Sequence, residues 1–210
     1  MSSQPNNLAP WRSPIARALH RNRAVAYSRY LQLATIDTDG TPANRTVVFR
    51  GFLEGANQMM FISDRRSDKI AQITCYPTAA ACWYFTKTRE QFRLTGPIVA
   101  ITADSPEPSA QNARTRLWQN ISDSARVQFA WPQPKAPRSD RSEAFSPPPP
   151  DPQTPPDSFC LLMLDPQKVD HLCLRGDPQN RTLYQRLANN PDADTTPGQS
   201  PIWQITAVNP

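Results

Sequence analysis

Apolar and polar residues alternate through much of the first hundred positions, a pattern typical of strands with one buried face. Tyr30–Asp37 is rich in strand-forming residues, and the Asp-Gly pair that follows it, within Thr38–Thr41, tolerates the positive φ of a hairpin turn. A second strand runs through Phe52, and a third extends over Gln58–Ser63 after a turn at residues 53–57. The pattern predicts antiparallel strands joined by short turns.

Longer strands are predicted further along the chain. Ala79–Phe85 is an almost unbroken apolar run, so we expect both of its faces to be covered. Glu90–Thr102 is a long strand with a bend or bulge at Gly96-Pro97. Three later segments continue the sheet, the last as its closing strand: Phe159–Leu164, Val169–Leu174 and Ile202–Ile205. Strands of this kind favour a closed or half-closed barrel over a sandwich.

Helical signals occur in three segments. Ser13-Pro14 predicts the start of a short amphipathic helix, with the serine as N-cap and the proline as first helical residue. Ser67 is predicted to cap a helix that runs to about Cys75, and the periodicity is helical again over Glu107–Phe129. The fold class is therefore mainly β, a barrel with flanking α-helices.

A proline-rich segment, Trp131–Asp157, separates the last helical region from the later strands. It contains ten prolines, which fix φ and lack a backbone donor, so no regular element is expected there. We predict an extended loop on the surface. No internal repeat or domain boundary is visible, and we predict one domain over residues 1–210.

The chain carries a net charge of +5 and has a pI of about 9.3. Two interpretations fit this charge: binding to nucleic acid, and a positive pocket for a small phosphorylated anion. The charge is mainly dispersed arginine, without a basic tail or a nucleic-acid motif, so we favour the pocket and expect no nucleic-acid partner.

Several classes of protein are disfavoured by simple features of the sequence. The chain has no run of about 18 apolar residues, so we expect no membrane span, and its first residues lack the pattern of a signal peptide. Cysteines are scattered and do not cluster with histidines, so we expect reduced thiols and no metal site. The expected location is the cytoplasm.

Candidate chemistry concentrates in two segments, Pro42–Arg50 and Phe61–Lys69. The first reads as a strand that carries Arg45 and Arg50. Because side chains alternate along a strand, residues five apart face opposite sides. One arginine can therefore hold a phosphate while the other faces the ring of a cofactor or a bound substrate.

The second segment reads as a strand that turns into a helix. Ser63, Ser67 and Lys69 lie at this junction, where free backbone N–H groups and the helix dipole favour anions. Each feature taken alone is explained as well by solvated charges and an ordinary helix cap. Together they predict a site for a phosphorylated cofactor. Arg65 and Arg66 either belong to this site or only decorate the turn.

In this order the two segments resemble the FMN-binding split barrel of the pyridoxamine 5'-phosphate oxidase family. The resemblance implies a six-stranded antiparallel, Greek-key-like split barrel, FMN as the cofactor, and a homodimer with FMN at the subunit interface. It extends to Gln91, which matches a strand glutamine near the flavin ring, and to Arg181, which matches an arginine that contacts the flavin across the interface. The alternatives are an amide beside the core and a surface salt bridge.

The candidate FMN contacts combine these strand, junction and helix residues. They are Arg45, Thr46, Val47, Val48, Arg50, Ile62, Ser63, Ser67, Lys69, Gln91, Ser124 and Arg181. Arg50 is also the candidate substrate contact. We name no catalytic acid or base, because in flavin enzymes the cofactor carries the hydride chemistry and the protein supplies orientation and electrostatics.

The chain differs from the family oxidases at two positions that serve the substrate in that family. Family oxidases carry an arginine and a histidine shortly before the C-terminal arginine, where this chain has Asp177 and Gln179. An acid at this place repels a substrate phosphate. His171 falls where the family places a ring-contacting tryptophan, and the whole pattern is closer to the Alr4036-like branch of FMN-binding proteins.

We therefore expect an FMN-dependent oxidoreductase that acts on an undefined small substrate. The alternative is a non-catalytic protein that binds or senses FMN or a related phosphorylated ligand.

Overall fold

The computed structural model describes residues 8–187 and 201–210. The helices in these ranges are α1 (Arg12–Arg21), α2 (Asp68–Cys75), α3 (Pro108–Gln119) and α4 (Asp123–Arg126), with short 3-10 turns at Val127–Ala130 and Ser142–Phe145. The strands are β1 (Tyr30–Ile36), β2 (Pro42–Val48), β3 (Gly51–Phe52), β4 (Met59–Asp64), β5 (Thr78–Phe85), β6 (Glu90–Ile101), β7 (Phe159–Leu164), β8 (Lys168–Cys173), β9 (Asn180–Arg186) and β10 (Trp203–Val208).

Antiparallel pairing closes part of the sheet into a ring. β1 pairs with β2 and β5, β5 with β6, β6 with β7, β7 with β4, and β4 with β3. β3 continues β2 after only Phe49 and Arg50, so the two segments act as one bent strand. The ring therefore has six strands, and the predicted split barrel with flanking helices is confirmed.

β6 belongs to two walls of the barrel because its partner changes at the predicted bend. Glu90–Thr95 pairs with β8, whereas Ile98–Ile101 pairs with β7. At Gly96 a Cβ atom would overlap the backbone carbonyl of Asp165. Glycine is required there because the chain that follows β7 passes against the strand.

Three strands extend the sheet beyond the barrel: β8 pairs with β6, β9 with β8, and β10 with β9. Asn180–Arg186, which the sequence did not predict as a strand, forms β9. The prediction that Ile202–Ile205 closes the barrel is wrong. Its residues lie at the edge of the sheet, and the pairing of β3 with β4 closes the ring instead.

The helices lie where they were predicted, with small shifts at the ends. α1 begins at Arg12, one residue before the predicted Ser13 cap, because Trp11 is fully buried and leads into the first turn. α2 follows Ser67 and ends at Cys75 as predicted. The region Glu107–Phe129 contains α3, α4 and all but the last residue of the 3-10 turn Val127–Ala130.

Two apolar cores hold these elements together. The larger fills the barrel with inward-facing side chains such as Leu33, Trp83 and Phe92. The smaller packs α3 and α4 against β6 and β7 through residues that include Trp118 and Phe159. The prediction of a single domain stays a prediction.

The proline-rich segment has little regular structure, as expected, but it is held against α3. Trp118 donates from Nε1 to the carbonyl of Asp151 at 2.8 Å, and the buried Arg114 donates to the carbonyl of Pro156 at 2.8 Å. The four cysteines are free thiols. Within residues 8–187 and 201–210, no helix is long and apolar enough to cross a membrane.

Gly96→Ala is expected to destabilise the fold by about 2–3 kcal/mol, because the added methyl group overlaps backbone that cannot move aside. Chemical denaturation of the cofactor-free protein measures this change. Gly55→Ala is the matched control: its Cβ meets open space, so only the positive φ of 68° costs stability, about 1–2 kcal/mol. An equal or smaller effect at Gly96 would contradict the close approach.

Candidate functional site

Two cations from the predicted segments meet in one cavity beside α2. The cavity has a volume of about 460 Å³ and is lined by Arg45 of β2 and by Ser67 and Lys69 at the start of α2. α2 packs against β1, the neighbour of β2, which brings the helix start next to Arg45. The other lining residues of this Arg45 cavity are Asp37, Ala43, Asn44, Asp68, Gln72, Pro134 and Lys135.

The guanidinium of Arg45 is held by neighbouring oxygens. Its Nη2 donates to Oε1 of Gln72 at 2.8 Å, and its Nη1 donates to the hydroxyl of Thr35 and to the carbonyl of Leu33. Thr35 in turn donates to Oε1 of Gln72 at 2.7 Å, and both side chains are buried. Arg45 is therefore fixed by a buried polar relay that joins β1, β2 and α2.

The ammonium of Lys69 lies between two hydroxyl groups. Nζ donates to Oγ of Ser63 at 3.0 Å and to Oγ of Ser67 at 2.6 Å. Ser67 is the N-cap residue of α2, and its side chain makes no cap hydrogen bond in the described chain. The strand-to-helix junction thus gathers a cation and two hydroxyls at the start of the helix.

The electrostatics of the Arg45 cavity favour an anionic ligand. Burial lowers the pKa of Lys69, and the charge of Arg45 lowers it further. Burial also lowers the pKa of Arg45, against the opposing influence of Asp37 and Asp68. The pKa of each cation stays lowered although nearby carboxylates act in the opposite direction, so an added anion is favourable. A phosphate dianion meets this need through charge-assisted hydrogen bonds.

Arg50 lies in a separate cavity of about 550 Å³, as its spacing from Arg45 predicted. Its Nε is buried and has no hydrogen-bond partner in the part of the chain that the structure describes. Burial lowers its pKa. Other residues that line this Arg50 cavity are Phe52, Met60, Asn112, Arg116 and Asn120. A buried donor without a partner is costly, so this cavity suits a molecule that offers an acceptor.

β4 contributes to both cavities. Ser63 contacts Lys69 in the Arg45 cavity, and Met60 lines the Arg50 cavity. Three residues along a strand span about 10 Å. Ile62, another predicted contact, is half-buried between them.

Gln91 and Arg181 lie on the outer face of the sheet, away from the Arg45 cavity. They share one row, because Gln91 pairs with Leu172 and Leu172 pairs with Arg181. Arg181 donates from Nε and Nη2 to Asp170 at 3.0 and 2.8 Å. Burial alone would raise the pKa of Asp170, but the hydrogen bonds from Arg181 and Arg93 outweigh it and lower the pKa.

The other predicted contacts are dispersed. Val47 is buried in the barrel core, Val48 is half-buried, and Thr46 is exposed on the outer face. Ser124 is exposed on α4, with its Oγ 2.9 Å from Oγ of Ser122, and lines neither cavity. One protomer therefore gathers Arg45, the two serines and Lys69, but not the whole predicted set.

Three further residues have local partners. Arg65 pairs with Asp104 at 2.7 Å and Arg66 with Asp64 at 2.7 Å, and neither arginine lines the Arg45 cavity. His171 stacks on Phe92 with ring centroids 4.1 Å apart, and its Nε2 lies 2.9 Å from Glu90.

The residues beneath Arg45 were not predicted from the sequence. Thr35 continues the inward-facing series of Leu31 and Leu33, so a polar residue at a core position was the available signal. Gln72 lies on the buried face of α2 beside Ile73, which is a signal of the same kind.

Residues on α3 and in the proline-rich segment were also missed. Asn112, Arg116 and Asn120 are spaced by four and so share one helix face, a pattern that the sequence shows. Lys135 reaches the Arg45 cavity from the proline-rich segment, and no local pattern predicts that contact.

Comparisons with known proteins agree with the cavity chemistry. A family model described as pyridoxamine 5'-phosphate oxidase, FMN-binding domain, matches residues 8–102. A pyridoxine/pyridoxamine 5'-phosphate oxidase 2 from Arabidopsis thaliana is 34% identical over 204 residues, which cover 97% of this chain and 98% of the relative. The chain belongs to the pyridoxamine 5'-phosphate oxidase family.

Solved structures show the same family fold. A pyridoxamine 5'-phosphate oxidase-related, FMN binding protein from Nostoc punctiforme PCC 73102 is 53% identical, with both chains covered completely and a TM-score of 0.89. PhzG from Burkholderia lata 383, at 19% identity and a TM-score of 0.72, covers 100% of this chain and 98% of its own and shares the fold.

FMN is the cofactor of this oxidase family member, as the sequence predicted, because the matched domain is an FMN-binding domain. The Arg45 cavity fits the phosphate of this cofactor. Arg45 and Lys69 have lowered pKa values that an added dianion would restore, and Ser67 at the helix start offers a hydroxyl.

The affinity for FMN is expected to fall on the alkaline side at a lower pH than the titration of an ordinary lysine would give. The lowered pKa of Lys69 means that its charge is lost at a lower pH than in an ordinary lysine, whereas bound phosphate favours the charged form. Below about pH 6 the phosphate itself gains a proton, which also weakens binding. Fluorescence titration of FMN across this range measures the profile.

Lys69→Arg is the control for this pH dependence, because arginine stays charged throughout. The alkaline decline is expected to disappear in this variant. An unchanged decline would show that another group titrates.

Proposed function

We propose that this protein is an FMN-dependent oxidoreductase that acts on a small substrate as a homodimer. The observation that carries the proposal is the shared cavity of Arg45 and Lys69, where Ser63 and Ser67 contact the ammonium. These cations hold the flavin phosphate, and backbone N–H groups at the start of α2 add donors. Similarity over nearly the whole length to the Arabidopsis oxidase supports oxidase chemistry.

When bound, FMN supplies hydride acceptance and passes the electrons to oxygen or another acceptor. Arg50 supplies a fixed positive charge and an N–H that has no partner among residues 8–187 and 201–210, and these stabilise negative charge on the ring or hold an acceptor of the substrate. Asn112, Arg116 and Asn120 offer further polar groups from α3, while Phe52 provides an apolar wall. The residues orient a substrate without a dedicated acid or base.

The proposed homodimer rests on the outer face of the sheet. Gln91 and Arg181 lie on this face, away from the Arg45 cavity of their own protomer. In the proposed homodimer this face meets the second protomer, and the two side chains reach the flavin that it holds. Tyr30, Tyr84 and Leu183 on the same face expose 51%, 43% and 37% of their surface. Apolar exposure of this kind suits a protein interface.

A non-catalytic flavin-binding protein is the second candidate, and the turn between β8 and β9 favours it. Asp177 is exposed there and Gln179 is half-buried, at the positions where family oxidases bind substrate with an arginine and a histidine. A vitamin B6 phosphate would meet a like charge at Asp177. Oxygen consumption is measured with pyridoxamine 5'-phosphate and with analogues that lack the phosphate. Turnover supports the oxidoreductase, whereas bound flavin without turnover favours the non-catalytic protein or another substrate.

Arg45→Ala and Lys69→Ala are each expected to weaken FMN binding by about 1.5–3 kcal/mol, the scale of a hydrogen bond to a charged group. Arg65→Ala is the matched control, because this arginine pairs with Asp104 outside the cavity. Titrations with FMN and with riboflavin, which has no phosphate, measure the effect. Equal losses for both ligands would contradict the phosphate assignment, and a wild-type protein without flavin absorbance would contradict the proposed function.

Arg50→Ala is expected to lower kcat/KM about tenfold or more, because it removes a charged donor that faces the reacting molecules. FMN affinity should change less than in Lys69→Ala. Steady-state kinetics of the flavin-loaded protein, with a substrate that it turns over, measure this change in kcat/KM. Loss of flavin with unchanged kcat/KM in the loaded fraction would assign Arg50 to the cofactor alone.

A further inference from the structure

The Arg45 cavity contains two carboxylates, which is unexpected in a site for a phosphate. Asp37 and Asp68 both line it, and they balance the charges of Arg45 and Lys69. Lys135 is the third cation of the lining, and it forms an ion pair with Asp68. The lining side chains therefore have a net charge of +1 with Lys135 and zero without it. The attraction of this cavity for an anion depends on a residue of the proline-rich segment.

The backbone at Lys135 adopts a conformation that lysine disfavours. Gln133–Ala136 forms a turn closed by a hydrogen bond of 3.3 Å from the N–H of Ala136 to the carbonyl of Gln133. Pro134 occupies the second position and Lys135 the third, with a φ of +63°. Glycine or asparagine is favoured at the third position of such a turn. An unfavourable conformation that persists beside a ligand cavity points to a role for the side chain.

The segment is tethered to the same junction that supplies Lys69. Arg66 pairs with Asp64 at the end of β4 and also donates from Nη2 to the carbonyl of Trp131 at 3.1 Å. Trp131 lies four residues before Lys135, so this hydrogen bond fixes the start of the segment near the cavity. The turn is thus positioned by the protein and is not an arbitrary surface loop.

We propose that the proline-rich segment completes the flavin phosphate site, with Lys135 offsetting Asp68 so that the cavity attracts a dianion. The inference rests on the proposed function, because it names the residue that gives the phosphate site its net positive charge. The hydrogen bond to Asp68 raises the pKa of Lys135, which keeps it charged. Its side chain is 79% exposed, so it can turn from Asp68 towards a bound phosphate without loss of packing.

Lys135→Ala is expected to weaken FMN binding about tenfold at low ionic strength and to leave riboflavin binding unchanged. The difference should shrink in 1 M salt, where exposed charges are screened over about 3 Å. Arg141→Ala is the matched control, since it removes an exposed positive charge from the same segment outside the cavity lining. Fluorescence titration of the full-length protein gives both dissociation constants.

The double variant Asp68→Asn with Lys135→Ala tests the charge balance directly. It restores the net charge of +1, so its FMN affinity is expected to return to within about twofold of the wild type. An affinity that stays as low as in Lys135→Ala would overturn the charge-balance inference.

Lys135→Gly separates a binding role from a structural one. Glycine accepts the positive φ, and this gain offsets its greater freedom in the unfolded chain, so the melting temperature of the cofactor-free protein is expected to stay close to that of the wild type while FMN binding weakens. A structural role would move stability and affinity in the same direction, and that result would overturn the inference.

Failure of this inference is distinguishable from failure of the proposed function. If Lys135→Ala binds FMN like Arg141→Ala while the wild type prefers FMN to riboflavin, the role of Lys135 is wrong and the phosphate site stands. If the wild type does not prefer FMN to riboflavin, the phosphate site and the inference both fall.

Discussion

The structure depends on two like charges held together in a partly buried place. Arg45 and Lys69 approach one cavity from different elements, and each loses hydration there, as their lowered pKa values show. Asp37 and Asp68 in the same lining offset this cost only in part, because both pKa values stay lowered. The barrel and α2 fix the positions of the two side chains. The hydroxyls of Ser63 and Ser67 accept hydrogen bonds from Lys69 and so replace part of the water that its ammonium loses. The loss of hydration that lowers both pKa values is also what an added anion would reverse.

The barrel geometry explains why the site forms where it does. β2 and β3 are one strand bent at Phe49 and Arg50, and Arg50 at this bend lines the cavity beside α3, whereas Arg45 lines the cavity beside α2. β6 changes its partner beside Gly96, which allows β7 and β8 to pair with different halves of the same strand. Without that change the outer strands that carry Arg181 would not extend from the barrel. The bend between β2 and β3 and the bend in β6 thus produce the two cavities and the outer face of the sheet.

The parts of this arrangement that the sequence predicted are the local ones. Alternation defined the barrel strands, the spacing of Arg45 and Arg50 predicted that they face apart, and Ser67 marked the start of α2. The relay under Arg45 escaped because Thr35 and Gln72 meet across 37 positions, and neither has a neighbour in sequence that reveals the other. Contacts of this kind are set by how α2 packs on β1, and packing is not encoded in any short window of residues.

The contact of Lys135 with Asp68 bridges 67 positions and carries the argument one step further. An acid at the first residue of α2 favours the helix through its dipole, since the N-terminal end carries partial positive charge. The same acid opposes an anion in the adjoining cavity. The acid therefore stabilises the helix but repels an anion in the cavity. The proline-rich segment offsets this repulsion, because it brings a cation from elsewhere in the chain to the acid. Cofactor binding adds to stability by mass action. A residue that sets the net charge of the cavity therefore also sets how strongly the flavin stabilises the fold.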